Sequence, residues 1–197
     1  MKTPLEYCVS AIRALRAKKA DGSFTADTDG YSISGRSRTA SSSPLNRLGA
    51  MMLFDRGAPD GYPEAAAPWI SAGTLSQRVR YIQTFLMAET DANKDDAISG
   101  GNNNVSDPAA LVKLKLAQAD QAKADAVVDY FLKTLFPGEG KGNLQYYRKA
   151  AIDFLNTSDT GSAASLFSSL SPGAAEYDTR VRAMVSFLMT TPRFQEQ

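Results

Sequence analysis

Apolar side chains recur at three- to four-residue spacing through most of the chain, the pattern of helices that each bury one face. The first run, Leu5, Cys8, Ile12 and Leu15, predicts a helix from about Thr3 to Lys19. Thr3, Pro4 and Glu6 form a capping-box pattern at its start, and Lys18 and Lys19 stand at the negative end of its dipole. A second run opens with Ser43 before Pro44, a hydroxyl cap followed by the residue that loses no bond in a first turn. Leu45, Leu48 and Met52 share its face, and Gly57 is placed to end it. A third run opens near Ser71 and carries Leu75, Val79, Ile82 and Leu86. Asp107-Pro108 starts a fourth, with Leu111 and Leu114. Val127, Val128, Phe131, Leu132 and Leu135 define a fifth that stops at Pro137-Gly138. Leu144, Tyr147, Ala151, Phe154 and Leu155 define a sixth, capped by Asn143. Val181, Met184, Val185 and Leu188 define a last helix that Pro192 ends, and Ser162 to Leu170 could add a short one.

The spans between these runs are polar. Residues 21–43 are rich in Gly, Ser, Thr and Asp and bury too little to offset their ordering, so they read as a surface insertion. Residues 91–106 read as a second polar loop. The one alternating stretch, Leu111 to Leu116, lies inside a capped, alanine-rich pattern and reads as helix. The expectation is an all-α fold, an irregular multi-helix bundle of about six to seven helices with long loops, in a single domain over 1–197. Pro59, Asp60, Gly61, Tyr62, Pro63 and Pro68 forbid regular structure yet bracket Trp69, the only tryptophan. An indole is costly to leave in water, so this span is predicted to fold back on the helices beside it.

Composition narrows the chemistry. A net charge of +1, from 22 basic and 21 acidic residues, lacks the basic excess of a nucleic-acid binder. No histidine is present and Cys8 is the only cysteine, which excludes an internal disulfide, the usual zinc sites and a Ser-His triad. Cys8 reads as a small buried thiol rather than a nucleophile. No apolar run approaches the roughly 20 residues of a membrane helix. Nor does the start show a signal peptide.

The sharpest local signal is Asp91, Asn93, Asp95, Ala97 and Ser99, which places oxygen donors and a backbone carbonyl at the first, third, fifth, seventh and ninth positions of an EF-hand-like loop. A large hard cation needs such a shell. Asp96 stands where that loop has glycine, and Asn102 replaces its bidentate glutamate. The span therefore reads either as a candidate calcium site or as a solvated loop. Residues 137–143 resemble a phosphate loop in composition but fail its spacing. Glu64, Glu89, Asp129, Asp153 and Asp178 are conceivable acid-base carboxylates, none within a motif, and no catalytic residue is assigned. Tyr62 and Trp69 could stack on a sugar or a partner protein, or could pin their irregular span to the flanking helices.

Leu48-Gly49, Pro59, Gly61-Tyr62-Pro63, Trp69, Ser71, Gly73, Leu75 and Arg78 resemble the C-terminal signature of an uncharacterised bacterial family catalogued as domain of unknown function 1800. Thr3-Pro4-Leu5-Glu6, Val9-Ser10 and Arg13 are similar to the helix before that signature, and Pro192, Phe194 and Gln195 to its closing motif. Ala50 and Ala72 depart from glutamine and proline frequent there. The resemblance spans nearly all of the chain and corresponds to the C-terminal part of a longer family protein. It implies an exported, periplasmic or cell-surface setting and no established activity. Two functions follow as expectations. One is a non-catalytic structural or partner-binding module, with a protein partner at the cell envelope met through the surface from Asp55 to Trp69. The other is the C-terminal part of an enzyme acting on polysaccharide or another cell-surface polymer, its catalytic residues mostly elsewhere.

Overall fold

The computed structural model describes residues 1–28, 33–34, 43–51, 61–63, 67–87, 105–158, 161 and 163–196. Its helices are α1 (Pro4–Leu15), α2 (Pro44–Arg47), α3 (Ala72–Met87), α4 (Pro108–Lys115), α5 (Ala124–Leu135), α6 (Lys141–Leu155), α7 (Ala175–Thr190) and α8 (Pro192–Glu196). The fold is an all-α multi-helix assembly. Among the described residues, extended pairing is confined to a two-residue antiparallel pair, β1 (Ala26–Asp27) with β2 (Val105–Ser106), and two isolated bridges, Lys18 with Phe24 and Thr157 with Ala164.

Helix α7 is the axis of the molecule, packing against α3, α4, α5, α6 and α8. Its predicted stripe, Val181, Met184, Val185 and Leu188, is wholly buried, and Tyr177, Arg180, Ser186 and Met189 widen that surface. A helix covered on so many sides gains burial all round rather than along one seam. Arg180 enters this interior because its bonds are met. Nη1 donates to Leu155 O at 3.0 Å and Ser165 O at 2.8 Å, while Nη2 donates to Ser165 Oγ and pairs with Glu176. Arg182 ties α3 to β2, donating to Leu86 O and Ser106 O while bonded to Asp178.

The capping box of α1 is formed, Glu6 Oε2 accepting from Thr3 N at 2.7 Å and Thr3 Oγ1 from Glu6 N. The helix ends at Leu15 rather than Lys19, because Thr25 takes over its last turn. The Thr25 hydroxyl donates to Leu15 O at 2.6 Å and accepts from Ala17 N at 2.8 Å. Thr25 and Ala26 are fully buried. Within the expected surface insertion, residues 21–23 are exposed but Thr25 and Ala26 belong to the core, held there by backbone pairing and a satisfied hydroxyl rather than by large apolar side chains.

Four other elements differ from expectation. Helix α2 is a single turn that stops at Arg47, since Gly49 abuts the indole and Ala50 adopts a left-handed backbone at φ 54°. Helix α6 starts at Lys141, so Asn143 lies inside the first turn and bonds Glu139 instead of capping. The face of α3 is rotated. Arg78, Tyr81, Ile82, Phe85 and Leu86 are buried while Leu75 and Val79 are half-exposed, because the two aromatic rings offer more area to the core than Val79. Over 163–170 a 3₁₀ turn, Phe167–Ser169, stands in place of a helix, its Phe167 side chain buried against Tyr177.

Candidate functional site

Trp69 ends a 3₁₀ turn, Ala67–Trp69, just before α3. Ser71 and Thr74 fix the turn to the helix. Ser71 Oγ accepts from Thr74 N, Thr74 Oγ1 accepts from Ser71 N, and the Thr74 hydroxyl donates to Trp69 O at 3.0 Å. The indole points inward and is 3% exposed, its Nε1 donating to Pro63 O at 3.0 Å. A Cβ on Gly49 would lie 2.6 Å from Trp69 Cε3 and 3.2 Å from Pro4 Cγ, so only glycine allows this approach. Tyr62, half-buried, packs its ring 6.3 Å from the indole, centroid to centroid. The outer side of the same turn is apolar, with Ala67 and Pro68 exposed and Ile70 at 48%. With the indole spent on the interior, Pro68 and Ile70 are the apolar side chains left exposed here, and Tyr62 is half-buried. Pro68 lies within the surface expected from Asp55 to Trp69, whereas Ile70 falls just beyond it, a lone apolar residue that carries no signal in the sequence.

A cleft of about 990 Å³ lies between α5 and α6. Leu132, Phe136, Leu144 and Ile152 form its floor, and Asp129, Glu139, Arg148, Lys149 and Asp153 line its walls. Two of the conceivable carboxylates, Asp129 and Asp153, meet here. Both are engaged. Arg148 grips Asp129 through two bonds at 2.5 and 3.0 Å, and Lys149 bonds Asp153 at 2.6 Å. Glu139, the turn residue, pairs with Arg193. Bonding to Asp129 raises the pKa of Arg148, as bonding to Asp153 raises that of Lys149. Both pairs remain partly open to solvent. Asp178, the third such acid, is remote from the cleft and bonded to Arg182. Glu64 and Glu89 lie outside the described residues.

Cys8 is fully buried, and burial pushes its thiol up to about 12. At neutral pH so little thiolate forms that nucleophilic chemistry has no purchase there. The candidate calcium ligands Asp91, Asn93, Asp95, Ala97 and Ser99 lie outside the described residues. Among the described residues no three His, Cys, Asp or Glu side chains gather as a metal cluster, and no helix is long and apolar enough to cross a membrane.

No curated protein and no solved structure matches the chain. A family model described as protein of unknown function, DUF1800, matches residues 1–196. That match covers α1, the indole turn and the closing Pro192-Phe194-Gln195 alike, and with it the chain belongs to the DUF1800 family.

Proposed function

We propose that this chain is a non-catalytic helical module that binds a protein partner within an exported bacterial protein. The observation that carries the reading is the two-sided build of the indole turn. Trp69 anchors it inward through Pro63 O and Gly49, while Pro68 and Ile70 stand exposed on either side of the indole residue in the chain. A rigid, small apolar rim costs little entropy to dock, which is what a recognition surface needs. The paired carboxylates of the α5–α6 cleft favour this reading over an enzyme acting on polysaccharide, since each already has a cation on it. The exported setting rests on the family resemblance alone.

The test compares wild type with Ile70→Asp, a change at a 48% exposed position that leaves the core untouched. Immobilised wild type should retain one stoichiometric protein from an envelope extract, Ile70→Asp should lose it, and glycans should leave the melting temperature unchanged. Retention of no protein, together with a glycan that raises the melting temperature, would replace this reading with the enzyme one.

A further inference from the structure

Among the described residues, Arg78, Arg180 and Arg182 carry their guanidinium groups inward, and Arg78 differs from the other two. Arg180 and Arg182 each meet a carboxylate and at least two further acceptors. Arg78 is 0% exposed, and its single bond is Nη2 to Lys2 O at 2.8 Å. Its Nε and Nη1 are buried and have no partner among the described residues. The guanidinium lies 4.9 Å above the Tyr7 ring, which softens the charge but does not cancel it. Beside it sits a second buried cation. Lys2 is 9% exposed, donates Nζ to Phe194 O at 2.6 Å and rests 3.9 Å above the Phe194 ring. Among the described residues no carboxylate lies within ion-pair distance of either; Glu6, exposed and capping α1, acts on the Lys2 ammonium only from further off, and Arg78 has no carboxylate beside it.

A buried guanidinium with no carboxylate beside it and a second cation close by is costly by several kcal/mol. Bound water could accept the spare N–H bonds but would leave the charge uncompensated. An oxyanion does both, and its oxygens match a guanidinium better than any other small ligand. The geometry points to a small-oxyanion site formed by Arg78 and Lys2, at the junction of α1, α3 and α8, taking a phosphate-like or carboxylate group. Its cover is the non-helical segment Met1–Thr3, held by Lys2 N to Gln195 O at 2.7 Å, by the Lys2 ammonium to Phe194 O, and by Arg78 itself.

The experiment is thermal unfolding of the whole chain in inorganic phosphate, acetate or chloride at constant ionic strength, for wild type, Arg78→Met and Lys2→Met, with calorimetric titration of folded wild type by phosphate and acetate. The wild-type midpoint should rise saturably with phosphate or acetate over chloride, and which of the two binds tighter assigns a tetrahedral or a planar ligand. Arg78→Met should lose that rise and melt higher than wild type in chloride, its uncompensated charge gone; Lys2→Met should bind at least tenfold more weakly. Equal responses to all three anions, or no saturable heat with either oxyanion, would overturn the proposal. The titration decides even if a variant fails to fold.

Discussion

Replacing Gly49 by alanine tests the indole contact with a single methyl group. The new Cβ would sit 2.6 Å from Trp69 Cε3, 3.0 Å from Cζ3 and 3.2 Å from Pro4 Cγ. The ring cannot slide away without breaking the Nε1 bond to Pro63 O and lifting a 3% exposed indole toward water. Forced overpacking of this kind costs about 1–3 kcal/mol, and an unfavourable backbone at Gly49 (φ 159°) adds about 1. The expected loss is therefore about 2–4 kcal/mol, or roughly 4–16 °C in melting temperature for a domain of this size. Two controls separate the terms. Gly61 has φ 73° with open space around its missing Cβ, so Gly61→Ala should cost about 1 kcal/mol from strain alone. Gly138 has neither restriction, and Gly138→Ala should stay within about 0.5 kcal/mol of wild type. Urea unfolding followed by tryptophan fluorescence reads all three, because Trp69 is the sole emitter of its kind. A Gly49→Ala protein with the midpoint and emission of Gly138→Ala would refute the reasoning.

Three further outcomes follow from buried polar groups. Burial lowers Lys2 from 10.5 to about 8, so the unfolded chain binds more protons than the folded one between those values. Stability should rise from about pH 8 to 10.5, by on the order of 2 kcal/mol because the ammonium keeps part of its hydration, and Lys2→Met should flatten that rise in denaturant titrations. Thr25→Val keeps the shape but strands Leu15 O and Ala17 N, and chemical unfolding should show a loss of about 2 kcal/mol; no change would remove the role given to Thr25. Arg180→Met should lower stability by about 3 kcal/mol, opposite in sign to Arg78→Met in chloride, because it leaves Leu155 O and Ser165 O unpaired. Equal signs for the two arginines would contradict the contrast drawn between them.

Long periodic runs were legible from sequence because local spacing alone decides them. The Val127–Leu135 and Val181–Leu188 stripes are buried as their period requires. Features set by distant partners were not. Nothing near Gly49 announces that Trp69, twenty residues on, will occupy the space a continued α2 would need. Arg78 reads as a solvated charge in any local window, yet rotation of α3 carries it inside with Tyr81 and Phe85. The β1–β2 pair is too short to show alternation. In the cleft, Lys149 and Asp153 are an i, i+4 pair visible in the sequence, whereas Asp129 and Arg148 lie on different helices and meet only through the turn between them.

Acrylamide quenching of Trp69 emission, in the native chain and in urea, reads most directly whether the indole belongs to the architecture. A peg closed in by Gly49, Pro63 and Tyr62 should emit to the blue of free tryptophan and resist quenching until the chain unfolds. Native emission quenched as readily as that of the unfolded chain would place the ring in a site open to solvent and contradict the account.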